Sequence, residues 1–89
     1  MTKVFESENV LAYHHTRPFW EEHIVVIPKV HVASLLDVED EMLMELLNVV
    51  RRIAAEVVAQ KGAARVLTNL GEYQDSKHLH FHVNAGEKL

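Results

Sequence analysis

The chain has 89 residues, enough for one compact domain and too few for two, and its 13 acidic residues against 9 basic give a formal net charge of −4 with neutral histidines. That balance argues against a surface built to hold long nucleic acid by its phosphates, although it leaves room for a small nucleotide in a pocket. Cysteine is absent, which excludes a disulfide framework, a thiolate zinc site and a cysteine nucleophile; the expected setting is a reducing, cytoplasmic one, with no signal peptide before Val4 and apolar runs too short to span a membrane.

Lys3 to Glu6 and Val10 to His14 read as short strands joined by Ser7-Glu8-Asn9, which has the composition of a tight turn. His15-Thr16-Arg17-Pro18 breaks the pattern, because proline fixes its own φ and pushes the preceding residue out of the helical region. Glu22 to Lys29 follows as an interior strand, apolar on both faces, with His23, Val25 and Ile27 on one and Ile24 and Val26 on the other. Pro28 ends it, and Lys29 to Ser34 reads as a connecting arm.

The spacing then predicts a long helix over 38–61. Asp37 is placed to cap its first turn, Glu39, Asp40 and Glu41 put negative charge at the positive end of its dipole, and Gly62 supplies a left-handed stop. Its apolar positions, from Met42 and Leu43 through Leu46, Leu47, Val49, Val50, Ile53, Ala54, Val57 and Val58, leave only a narrow polar stripe. One sheet covers one flank of so wide an arc. The other flank is expected to meet the same helix of a second subunit across a two-fold axis, giving a homodimer through residues 38–61. Ala64 to Leu70 reads as a further strand, and the polar loop from Asn69 to Lys77 delivers two amides, Asn69 and Gln74, that can donate hydrogen bonds to phosphate oxygens. Ala85 to Leu89 is expected to fray.

The densest chemistry lies in His78-Leu79-His80-Phe81-His82-Val83, where histidine and a large apolar residue alternate three times in six residues. In an extended strand alternate side chains share a face, so Leu79, Phe81 and Val83 look into a core while the three histidines look out together. Imidazole titrates near neutrality, so a neutral ring there can serve as nucleophile, base or ligand. A plain polar strand face would mix Thr, Lys, Glu and Ser, and an affinity tag would not alternate with Leu, Phe and Val. At about 3.3 Å per residue the Cα atoms of His78 and His82 lie roughly 13 Å apart, so all three can hardly grip one ion, although a pair such as His78 and His80 with a third ligand from elsewhere stays open as a metal site.

These residues carry a resemblance that covers nearly the whole chain. His78-Leu79-His80-Phe81-His82-Val83 resembles the His-φ-His-φ-His-φ signature, with φ apolar, of the histidine triad family. His23 to His31, which begins with a fourth histidine and ends in Ile27-Pro28-Lys29-Val30-His31, is similar to the other recognisable segment of that family. Asn69 resembles the asparagine before its active-site loop, and Gln74, four residues before the first triad histidine, a phosphate-contacting glutamine. The resemblance implies a nucleotide hydrolase or transferase in which the middle triad histidine, here His80, attacks the α-phosphorus of a nucleoside monophosphate derivative. A nucleotidyl-histidine forms and water then cleaves it.

By the same resemblance His82 and Gln74 donate to the phosphoryl oxygens, Asn69 supports the site, and His78 and His23 orient the nucleophile. No cofactor or metal is called for. His82, where related uridylyl transferases carry glutamine, points to hydrolysis. Three departures stand out. His15 occupies the place of a ribose-binding aspartate, Asp75 the place of a serine, and the loop between Asn69 and His78 is short. The chain also lacks counterparts to the N-terminal helix and C-terminal tail of typical members, which makes residues 1–89 a single minimal domain.

The expected architecture is α+β: an antiparallel sheet of about five strands with one long helix packed on it, dimeric about a two-fold axis. The expected function is hydrolysis of a purine nucleotide or nucleotide conjugate, a phosphoramidate or similar, through His80, with His15 and Asp75 among the substrate-binding residues. Two other readings stay open: a nucleotide-binding regulatory protein with little turnover, and a histidine-dependent metal protein.

Overall fold

A computed structural model of the chain describes residues 2–89. Five strands, β1 (Lys3–Glu6), β2 (Val10–His14), β3 (Trp20–Pro28), β4 (Arg65–Leu67) and β5 (Phe81–Lys88), form one antiparallel sheet in the order β1-β2-β3-β5-β4. Among the described residues the one α-helix, α1 (Asp40–Lys61), lies across one face of it. This is the α+β architecture expected from the sequence.

The two faces follow from the period of two along each strand. Val10 and Ala12 of β2, Ile24 and Val26 of β3, and Phe81, Val83 and Ala85 of β5 are buried in one apolar cluster with Leu46, Val49, Val50, Ile53 and Val57 of α1. The intervening residues Tyr13, His23, Val25, Ile27, His82 and Asn84 line the opposite face, where they floor a cleft. Because β3 pairs with β2 on one side and β5 on the other, it is interior to the sheet and needs apolar residues in both directions.

Several local expectations are corrected. The helix begins at Asp40 with Glu39 at its N-cap, not at Val38 after Asp37; the Asp37 carboxylate instead accepts the Ser34 hydroxyl at 2.9 Å, closing a turn ahead of the helix. Gly62 does end the helix in the left-handed region, at φ 83°, donating its N–H to the Val58 carbonyl at 2.8 Å. The strand after the helix is only Arg65–Leu67. The C-terminal segment does not fray: β5 continues to Lys88, because β3 starts earlier than expected, at Trp20, and pairs with it as far as Lys88.

The division of α1 into a sheet-facing flank and a free one is also revised. Leu46 and Val50 stand on different flanks, yet both are buried, at 0% and 4% exposure. The second cover comes from the connecting arm, whose Val32, Leu35 and Val38 pack against the same core. What remains uncovered on α1 is smaller, Met44 (56% exposed) and Val58 (46%); Val66 and Leu67 of the edge strand β4 are exposed as well, Leu67 on the cleft face. An ionised carboxylate at either core position costs several kcal/mol in desolvation, against a total stability of about 5–15 kcal/mol for a domain. Leu46→Glu and Val50→Glu are therefore both expected to abolish cooperative urea unfolding monitored by circular dichroism.

Candidate active site

The cleft has a volume of about 320 Å³ and five imidazoles in its walls, those of His15, His23, His78, His80 and His82. Strand β5 begins at Phe81, so His78 and His80 lie in the segment leading into it and only His82 is within the strand. All three nevertheless line the one cleft, since Leu79 points the other way into the core and keeps the alternation in phase.

Backbone groups dictate which nitrogen of each neutral ring carries hydrogen. The Nδ1 of His80 lies 2.8 Å from the His78 carbonyl oxygen; a carbonyl only accepts, so Nδ1 is the donor and Nε2 is left with its lone pair. Thr68 holds the same turn from the other side, its hydroxyl donating to the His80 carbonyl at 2.7 Å. The Phe19 N–H donates to His23 Nδ1 at 3.1 Å, which makes His23 Nε2 a donor; it meets His82 Nδ1 at 2.8 Å. His82 Nδ1 therefore accepts, and His82 Nε2 carries the hydrogen. In the same way the Arg17 N–H donates to His15 Nδ1 at 2.9 Å, leaving Nε2–H as the remaining donor of His15. His78 donates from Nε2 to the Pro28 carbonyl at 2.9 Å, and its Nδ1 faces Nδ1 of His31 at 3.3 Å, so His31 is the donor of that pair. The two rings stack with centroids 5.3 Å apart.

Two of the rings, His23 and His82, are partly removed from water, which favours their neutral forms. Burial, reinforced by the neighbouring His80, His23 and His15, pushes His82 down to about 4, with Asp75 opposing the shift. Burial and then His15 lower His23. His15 stacks on His23 with centroids 4.6 Å apart and an interplanar angle of 26°.

The other sequence-derived site residues divide. Asn69 and Asp75 line the cleft. Gln74 does not: it is 6% exposed, and its amide nitrogen donates to the Ala33 carbonyl at 2.6 Å. That placement has a physical cause. The short loop turns through a 3-10 segment, Gly71–Tyr73, which carries Gln74 back against the connecting arm. Ser76 takes a place in the cleft wall, as do Tyr13, Phe19, Trp20 and Asn84, none of which the sequence had assigned to the site. Thr68 and His31 were equally unassigned, since hydrogen bonds to groups distant in sequence, the His80 carbonyl and His78 Nδ1, leave no local pattern. Among the described residues no three His, Asp or Glu side chains are grouped to hold a metal ion, and no helix is long and apolar enough to cross a membrane.

A five-stranded antiparallel sheet carrying a helix on one face and a histidine-lined cleft on the other is the arrangement expected of a histidine triad protein. The family model described as HIT domain matches residues 1–89. An uncharacterized HIT-like protein of Azospirillum brasilense is 38% identical over 93 residues, spanning 98% of this chain and 76% of that protein. The adenosine 5'-monophosphoramidase of Saccharomyces cerevisiae is 32% identical over 83 residues, 91% of this chain and 51% of that enzyme. The solved structure of a HIT family hydrolase from Legionella pneumophila superposes with a TM-score of 0.80 at 32% identity, covering 97% of this chain and 81% of that one. The chain belongs to the histidine triad, or HIT, family.

The lowered titration of His23 and His82 has a consequence for stability. Unfolded, each ring titrates near its ordinary 6.5; folded, His82 takes a proton only near 4. The unfolded chain therefore binds more protons as pH falls, and stability that is fully present above pH 6.5 is lost on the way down to about 4. Glu6, lowered to about 2 by Lys29 and Lys3, adds its own loss only below its ordinary 4.5. Urea midpoints should thus fall already between pH 6.5 and 4.5, and His82→Gln should flatten that part of the profile.

Proposed function

We propose that the protein hydrolyses a purine nucleoside monophosphate derivative, a phosphoramidate or similar conjugate, through a nucleotidyl-histidine on His80. The observation that carries this reading is the Nδ1–H of His80 committed to the His78 carbonyl at 2.8 Å, which leaves Nε2 as a neutral nucleophile in the cleft. His80 Nε2 gives its pair to the α-phosphorus while the P–N bond breaks, and the leaving nitrogen takes a proton from water in the cleft as it goes, so that it departs as the neutral amine. The hydroxide left by that proton transfer attacks phosphorus, and the P–Nε2 pair returns to His80.

His82 Nε2–H, fixed by the Phe19, His23 and His82 chain, donates to a phosphoryl oxygen as charge gathers there. Asn69 and Ser76 are the further donors on this wall, in place of the withdrawn Gln74. Tyr13, Val25 and Ile27 offer an apolar floor for the base, and His15 offers one N–H to the sugar. Asp75 accepts hydrogen bonds from the amine side of the scissile bond, a role suited to a carboxylate that would repel the phosphate itself. That a relative is named an adenosine 5'-monophosphoramidase supports the same substrate class.

The withdrawal of Gln74 favours a second reading, a nucleotide-binding protein with little turnover. Mass measurement after acid-free quenching separates them: the hydrolase reading expects one nucleotidyl group on the protein and its release on hydrolysis, and no adduct supports the binder. His80→Asn is expected to stay folded and lose turnover by on the order of 10³-fold or more, and His82→Ala to lose less. Activity should survive exhaustive chelation; loss restored by zinc would favour a metal mechanism.

We further propose a homodimer across the uncovered strip of α1 and the open edge of β4. Met44 and Val58 are exposed apolar side chains of α1, and β4, with Val66 exposed, is an unpaired strand edge. The Met44→Glu/Val58→Glu double variant is expected to sediment as a folded monomer where the parent sediments as a dimer at micromolar concentration. A monomeric parent would remove this assignment.

A further inference from the structure

We propose that Asn84 and Arg65 form a subsite that selects leaving groups carrying a carboxylate, an inference that rests on the nucleotide-hydrolase reading of the cleft. Asn84 follows His82 by two residues on the cleft face of β5, about 7 Å further along the strand. It stands opposite His23 on β3 and Arg65 on β4. Arg65 Nη1 donates to Asn84 Oδ1 at 3.0 Å, which fixes the amide with its oxygen turned to β4. Asn84 is 1% exposed, its Nδ2 makes no hydrogen bond within the protein, and yet no fully buried side-chain nitrogen among the described residues lacks a partner. The sliver of Asn84 that the cleft reaches is therefore the unsatisfied NH2. A buried amide donor held open to a cavity is a group awaiting an acceptor.

Arg65 determines what kind of acceptor. Its guanidinium lies 4.4 Å above the Trp20 ring and donates to Asn84 and to the Gly86 carbonyl at 3.3 Å, all neutral groups. No carboxylate lies within ion-pair distance of it among the described residues. Its charge is uncompensated at the β4 end of the cleft, polarises the Asn84 amide from behind, and favours an anion in front of it. Asp75, the acid among the lining residues, sits on the loop before His78 and not on β4 or β5. The apolar floor on β2 and β3 suits the base, so the β4 side of β5 is left for the group that departs. A short chain on the scissile nitrogen that ends in a carboxylate points from His82 towards Asn84.

The test is calorimetric titration of the His80→Asn variant, in which ligands are not consumed, with two adenosine 5'-phosphoramidates of matched length, one of β-alanine and one of propylamine. The β-alanine compound is expected to bind about tenfold tighter, the scale of one hydrogen bond to a charged group. That preference should vanish when Arg65→Met is added and reverse when Asn84→Asp is added, a change that keeps an acceptor for Arg65 while placing like charge before the ligand. Equal affinity for the two compounds, or a preference that survives both changes, overturns the subsite alone. Binding of neither compound overturns the nucleotide reading of the cleft and the subsite with it.

Discussion

Strand β5 has two faces and both are spoken for. Phe81, Val83 and Ala85 must enter the core beneath α1, and the alternation then obliges His82 and Asn84 to face the cleft, with Leu79 fixing the same phase for His78 and His80. A slip of one residue in the pairing of β5 with β3 or β4 would bury the imidazoles and expose the core at a single stroke. Register is therefore held by the hydrophobic term that holds the whole domain, and the geometry of the site comes with the folded state at no further ordering cost. Placing β5 between β3 and β4 also brings His23 to one side of it and Leu67 and Arg65 to the other.

On that frame the backbone fixes the hydrogens. His80 is set by the His78 carbonyl, His23 by the Phe19 amide, His15 by the Arg17 amide and His78 by the Pro28 carbonyl. Peptide groups do not titrate, so each neutral tautomer is independent of the protonation of its neighbours except at the His23–His82 and His31–His78 contacts. The result is a cleft in which a lone pair on His80 and an N–H on His82 are pre-arranged rather than selected on binding. Burial, and then the neighbouring imidazoles, lower the titration of His82 and so keep it a neutral donor over the physiological range, while charging that pocket on acidification works against the fold.

How much of this could be read from residues alone depends on the distance over which each signal acts. The alternating triad, the interior strand with apolar residues on both faces, and the long helix with Gly62 after it are patterns of period 2 or 3.6, and all three elements are present, with ends displaced by a few residues. Asp37 looked like an N-cap because the residue type is right; Ser34, three residues earlier, captures its carboxylate in a turn. The breadth of the helix arc was legible, but its cover was not, because Val32, Leu35 and Val38 of the connecting arm have no periodicity to announce that they fold back. Thr68, Asn84 and Arg65 matter through partners 12 to 21 residues away, and no local pattern encodes such pairs.

Gln74 shows where motif spacing and geometry part company. Its position four residues before His78 survives in the sequence, but spacing along the chain fixes only how far a side chain can reach, not where it turns. Five residues from Asn69 to Gln74 are too few to loop over the cleft and return, so the chain tightens through Gly71–Tyr73 and the amide satisfies the Ala33 carbonyl. To donate to a phosphate it would have to leave a 2.6 Å bond and strand the Ala33 carbonyl of the arm without that donor. Exchanging one hydrogen bond for another of similar strength yields little net stabilisation of a transition state. On the proposed hydrolase reading the phosphoryl oxygens would be served by donors already free in the cleft, above all His82 Nε2–H, which would place more of the electrostatic work on one imidazole and make turnover depend most on the Phe19, His23 and His82 chain behind it.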